Sequence, residues 1–182
     1  KIGGVNLNFF IANQFPIQDV GLAEIMYGLK QGNLSNFVLE RVLELSYTAW
    51  DMQPFALDCG YNGPPFIWDE ERRFDIRCEL DALFFHLYLG TEKEWREGEG
   101  RDGQPLTTHH SPLTTYFKTP RHAVEYIMET FPIVKRKDEK EFGEYRTKLR
   151  ILEIYDAMTP LFESTHHLPL TTYHSPLTPP PG

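Results

Sequence analysis

Wound at 3.6 residues per turn, the stretch from Asp69 to Leu89 carries two apolar stripes. Phe74, Cys78, Ala82, Phe85 and Leu89 form one, and Ile76, Leu80, Leu83 and Leu87 form the other. A helix that is apolar over most of its circumference must pack on several sides, so the pattern predicts a core helix. Arg77, Asp81, Phe84 and Tyr88 run along one flank between the stripes. Arg72, Asp75, Glu79 and His86 run along the other, which the pattern makes the wet side. Arg77 and Asp81 stand one turn apart in an apolar groove, where an unpaired charge is expensive, and are expected to form a structural ion pair. Asp69 is a suitable N-cap, and Glu70 and Glu71 suit the positive end of the helix dipole.

The same reading places the other elements around this helix. Asn6 to Ile17, NLNFFIANQFPI, is short, aromatic and stopped by Pro16, and reads as an extended segment. Asn33 caps a predicted helix running to about Trp50, with Leu34, Val38, Val42, Leu45 and Ala49 inward and Glu40, Arg41, Glu44 and Tyr47 outward. Pro54 and the run Cys59 to Phe66 punctuate a turn-rich loop. Gly90 to Gln104 is polar, aperiodic and expected to be exposed loop. Thr119 and Pro120 open another helix, carrying Val124, Ile127, Met128 and Phe131 and closed by Pro132. A charged link, Val134 to Glu141, leads to a last helix from about Phe142 to Met158. Its apolar arc is Tyr145, Leu149, Ile151, Leu152, Tyr155 and Met158, and its narrow polar side is Arg146, Arg150 and Glu153. The pattern predicts a mainly α fold, a small helical module of about four helices with a short extended N-terminal segment and disordered low-complexity insertions. Residues 1–32 form the leading segment, 33–158 the helical module with an insertion at 90–118, and 159–182 a low-complexity tail.

One internal repeat interrupts this order. PLTTHHSPLT, Pro105 to Thr114, recurs as PLTTYHSPLT, Pro169 to Thr178, and within each copy the unit PLT returns after seven residues. A tandem heptanucleotide repeat read through all three frames gives a seven-residue unit, so the copies read as translated low-complexity DNA. The rival reading is a metal tract using His109, His110, His166 and His167. Adjacent histidines without cysteine or carboxylate partners are weak zinc ligands, so no metal site is expected.

Composition narrows the classes. The chain has 182 residues, 41% hydrophobic and 14% aromatic, enough for one domain with a core. A net charge of −8 argues against a surface wholly given to coating nucleic acid. Cys59 and Cys78 make neither a disulfide framework nor a CxxC knuckle and read as free thiols of a cytoplasmic protein. No apolar run has the length of a membrane span, and no signal peptide is visible. The chain starts at Lys1 and runs straight into an apolar segment, which suggests a piece of something longer. Phosphate-binding, dinucleotide, nucleophile-elbow and zinc-protease motifs are all missing. Asp138-Glu139-Lys140 has the Asp-x-Lys spacing of metal-dependent nucleases, but in a charged link it reads as a solvated run. Asp81 and His86 fall on different sides of their helix and cannot form an acid–base pair. Lys118 to Arg150 holds nine of the eighteen Lys and Arg residues. Lys135, Arg136, Lys137 and Lys140, with Arg146 and Lys148 behind them, could meet phosphates. Alternatively they pair with Asp138, Glu139 and Glu141 in an ordinary solvated link.

Several long blocks together resemble a known family. LERVLELSYTAWDMQPFALDCGY (Leu39 to Tyr61), GPPFIWDEERRF (Gly63 to Phe74), RCELDALFFHLYL (Arg77 to Leu89), EYIMETFPIVKRKDEKEFGEYRTKLRILEIYDAM (Glu125 to Met158) and the closing LTPPPG carry the resemblance. They are similar to the C-terminal part of large bacterial restriction–modification proteins with an adenine-specific DNA methyltransferase, of the Eco57I-like or a related anti-phage class. Asn6 to Ile17 resembles the segment that ends their target-recognition region. The resemblance covers most of the chain apart from the two repeats and the Gly90 to Gln104 loop. It implies transfer of a methyl group from S-adenosylmethionine to the exocyclic amine of an adenine flipped out of double-stranded DNA. The glycine-rich cofactor motif and the Asn-Pro-Pro-Tyr motif of the family are absent here and in the family lie upstream. The resemblance therefore implies no catalytic residue and no bound cofactor in this chain, with S-adenosylmethionine held by an upstream methyltransferase domain of the parent enzyme. It further implies that the first repeat copy is inserted between two helices that the family keeps close in sequence. A helical scaffold that docks a nuclease or partner subunit, or an inactive remnant, are the alternatives of other classes.

Overall fold

Two long helices lie side by side and point the same way, and the other elements are arranged around that pair. The computed structural model describes residues 34–97 and 116–164, and over them the chain is mainly helical, without a strand. In chain order these are α1 (Leu34–Ser46), a 3-10 turn (Trp50–Met52), α2 (Gln53–Asp58), α3 (Glu70–Leu89), α4 (Glu92–Glu97), α5 (Pro120–Glu129), α6 (Pro132–Phe142) and α7 (Arg146–Ser164). The predicted extended segment, the Asn33 cap, both repeat copies and His109, His110, His166 and His167 lie outside the described residues.

The helix predicted at Asp69 is α3, and its start follows from its sequence. The Asp69 side chain accepts a hydrogen bond from the Arg72 N–H at 2.9 Å, with Glu70 and Glu71 in the first turn. Gly90 closes it at φ 74°, a conformation that a side chain would strain. Both predicted stripes are used. Cys78, Ala82 and Leu89 from one and Ile76, Leu83 and Leu87 from the other are buried. The most extensive helix pairing is α3 with α7. Arg146 of α7 binds Glu71 and Arg150 binds Asp75, while His86 meets Tyr155 and Phe162 further along both. Contacts that advance together along two helices make them parallel. By the same logic α1 is antiparallel to α3, through Arg41–Glu79 and Arg72–Glu44. Helix α5 is antiparallel to α7, through Arg121–Asp156 and Lys148–Glu129. Leu34, Trp95, Val124, Met128, Ile151 and Leu152 close the core around the pair.

His86 is a correction to the wet flank. Its side chain is 1% exposed, and its ring stacks on Tyr155 at 3.8 Å and Phe162 at 4.5 Å. The cause lies in α7, which runs through Pro160 to Ser164 rather than stopping near Met158. Proline has no N–H to give the helix one turn back, which loosens the hydrogen-bond ladder locally. The N–H missing at Pro160 is the one that would meet the Asp156 carbonyl; the Tyr155 carbonyl, one residue earlier, accepts from the Thr159 hydroxyl at 2.9 Å and from His86 Nε2, also at 2.9 Å. Phe162, buried at 4% exposure, continues the apolar arc and holds the last turn down.

Four further expectations change. Tyr47 does not face away. The helix ends at Ser46, and its ring turns in to 0% exposure, edge-on to Tyr61 at 6.1 Å, in a small second cluster with Leu43 and Ala56. The Gly90 loop contains α4, because Thr91 and Glu94 cap each other reciprocally and Trp95 buries its ring, donating Nε1–H to the Leu89 carbonyl at 2.6 Å. The charged link is helix α6. Pro132 opens it rather than closing its predecessor, Gly143 at φ 80° ends it, and the Lys, Arg and Glu between are good helix formers. Leu149 leaves the apolar arc and is half exposed.

Replacing Asp69 with alanine removes the side-chain cap of the central helix and is expected to cost about 1 kcal/mol. Urea denaturation of the two proteins checks this, with an unchanged slope and a lower midpoint as the expected result.

Candidate nucleic-acid interface

Helix α6 stands at the edge of the fold, touching mainly the start of α7, and none of its residues is fully buried. Its amphipathicity is one of charge. At 100° per residue, Lys135, Asp138 and Phe142 fall on one side and Ile133, Arg136, Lys137 and Lys140 on the other. The first side faces the protein. Lys135 and Asp138 are half-buried, Asp138 accepts the Thr147 N–H at 2.6 Å in the first turn of α7, and Phe142 lies under the Arg146 guanidinium at 4.7 Å. The second side is exposed throughout.

The six cations nominated from the sequence therefore divide into two groups. Lys135 and Lys148 both bind Glu129, at 2.8 and 2.6 Å, and the two ammonium groups hold that carboxyl at about 2, well below its ordinary value. Arg146 binds Glu71 and lies over the Phe74 ring at 4.1 Å. These three tie α5, α6 and α7 to the α3 end of the pair. Arg136, Lys137 and Lys140 make no ion pair among the described residues, and their charges point to solvent. Sequence reasoning put all six in one basic patch. It missed Glu129, which is C-terminal on α5 and takes two of them.

The other nominated groups do not assemble into chemistry. Arg77 and Asp81 are both exposed and form no ion pair within 4 Å, so the expected buried tie is corrected. Neighbouring helices cover the Glu79 and Asp75 sides of α3 and leave this flank open. Apolar neighbours raise the Asp81 carboxyl and Arg77 pulls it back, so the two interact through space. Asp138 is occupied as a cap for α7, which leaves the Asp-x-Lys spacing without a free carboxylate. Cys78 is buried, and desolvation first and the nearby Asp81 second push its thiol up to about 12, an inert group. A cavity of about 160 Å³ beside His86 is lined by Glu92, Arg121, Asp156 and Glu163, with Arg121 bound to Asp156 at 2.7 Å. Among the described residues no group of three or more His, Cys, Asp and Glu is placed to hold a metal ion. No helix among them is long and apolar enough to cross a membrane.

Comparison of the chain with protein-family models, curated proteins and solved structures finds no match.

Glu129→Gln should show the clamp directly. A carboxyl lowered from 4.5 to about 2 on folding contributes stability that is present above pH 4.5 and lost as pH falls through about 2. Thermal unfolding midpoints of wild type and variant should differ at neutral pH and converge across that acid window.

Proposed function

We propose that this chain is the non-catalytic, helical C-terminal part of an adenine-specific DNA methyltransferase of a restriction–modification system, and that α6 supports target recognition by touching the DNA backbone. The observation that carries the backbone contact is the split among the cations. The inward Lys135, Arg146 and Lys148 are spent on Glu129 and Glu71, while Arg136, Lys137 and Lys140 share one exposed side of one helix. Three charges without a partner among the described residues, on one helix, suit phosphates, which position a protein on duplex DNA without reading its bases. The sequence blocks quoted above support the methyltransferase assignment. In that reading S-adenosylmethionine and the adenine belong to an upstream domain, and this chain supplies a scaffold and a handhold.

Duplex DNA binding by this chain, measured against salt, tests the proposal. Each phosphate contact contributes about 0.9 to the slope of log K against log salt. Reversing Arg136, Lys137 and Lys140 to glutamate should lower that slope by about 2 to 3 and weaken binding at low salt. Neutralising Lys135 should leave the slope alone, because Glu129 already holds it. Binding that ignores the triple reversal would overturn the role given to α6.

A further inference from the structure

A second surface stands opposite in character to α6. From Trp50 to Glu71 the chain has no Lys or Arg and five acidic residues, Asp51, Asp58, Asp69, Glu70 and Glu71, all exposed. Among them large apolar side chains are held out in solvent: Ile67 is 93% exposed, Trp50 62% and Trp68 57%. The loop that presents them is fixed. The Phe66 N–H donates to the Tyr47 carbonyl at 2.8 Å, and Phe66 stacks on Tyr61 at 5.1 Å. Trp68 donates Nε1–H to Glu70 at 2.7 Å, and its ring lies under the Arg73 guanidinium at 3.7 Å. An aromatic held in one orientation gives up little entropy on docking, which is what favours such residues as interface anchors.

The chain itself carries a complement to this surface. The outward side of α6 is Ile133, 61% exposed, with Arg136, Lys137 and Lys140 beside it. Apolar and basic there meets apolar and acidic here. The two surfaces also lie at the same end of the fold. Helix α6 ends where Phe142 packs under Arg146, Arg146 binds Glu71, and Glu71 is the last acid of the Trp50 to Glu71 run. Two complementary patches at one end of a molecule can be joined twice by a single two-fold axis, each copy giving its helix and receiving its partner's.

We propose that two copies of this chain form such a reciprocal dimer, with α6 of each seated on the Trp50–Ile67–Trp68 surface of the other. The contact combines burial of Ile67 and Trp68 against Ile133 with pairing of Arg136, Lys137 and Lys140 to Asp51, Asp58, Asp69 and Glu70, the acids there that no cation among the described residues holds. Closure by a two-fold axis uses both patches in both copies and leaves no free end to extend into a filament.

Sedimentation of the full chain without DNA, across a range of concentrations and at two salt concentrations, tests the proposal. A reversible monomer–dimer equilibrium that weakens with salt is expected. Ile67→Asp and Lys137→Glu should each raise the dissociation constant at least about tenfold, as loss of an interface anchor does. Both positions are exposed, so the thermal midpoint of each variant should match that of wild type. Mixing the two variants leaves one sound contact of the two and should restore part of the association. A monomer at every concentration, or association that ignores both substitutions, would overturn the dimer. Arg136, Lys137 and Lys140 serve both contacts, so Ile67→Asp, which leaves α6 intact, reads them apart: it should weaken the dimer without weakening duplex binding.

Discussion

The parallel apposition of α3 and α7 is the constraint on which the other placements depend. Two parallel helices bring like dipole ends together, and α7 opens on Arg146, a cation at the positive end of its own dipole. The answer is local. Glu71 and Asp75, one turn apart on α3, face Arg146 and Arg150, one turn apart on α7, so the cations are met by carboxylates at the end where repulsion is concentrated. At the far end the tie is neutral, with His86 stacked against Tyr155 and Phe162 and bonded to the Tyr155 carbonyl. Between the two ends Leu83, Ile76 and Ile151 are fully buried, each worth about 1.5–3 kcal/mol of transfer from water. The partly exposed ion pairs set register more than they add stability.

Parallel neighbours also dictate the connection. The chain must return from the end of α3 to the start of α7, and the return path is α5, laid antiparallel on α7, followed by α6. Gly143 then turns the chain into α7, and Asp138 reaches across to cap it. Helix α6 is held by its inner side alone, which frees three cations on its outer side. The exposed charge that could meet a phosphate or a partner's acids is thus a by-product of how the crossover is closed.

Much of this was legible in the residues and some of it could not be. The Asp69 cap, the Thr119 cap, whose hydroxyl accepts the His122 N–H at 3.1 Å, and the two stripes of α3 follow from local rules, because each depends on neighbours in sequence. The Thr91–Glu94 capping box obeys an equally local rule and was readable, yet the polar composition around it hid the signal. The burial of His86 was not readable. On α3 alone it lines up with Arg72, Asp75 and Glu79, and only the parallel partner supplies its aromatic slot and its acceptor. The same holds for the division among the cations. Helical spacing separates Lys135 from Arg136 and Lys137, but nothing in the sequence says that the Lys135 side faces Glu129. The Arg77–Asp81 pair failed for the converse reason, since two stripes imply packing on several sides without saying which groove a neighbour fills.

Amide hydrogen exchange reads whether α3 and α7 form one parallel core unit with α6 carried on it. Amides at Leu83 in α3 and Ile151 in α7 should exchange together and slowest, at the free energy of global unfolding, while the α6 amides exchange well before them through local opening. Amides of α3 and α7 exchanging independently, or α6 as protected as either, would contradict that arrangement.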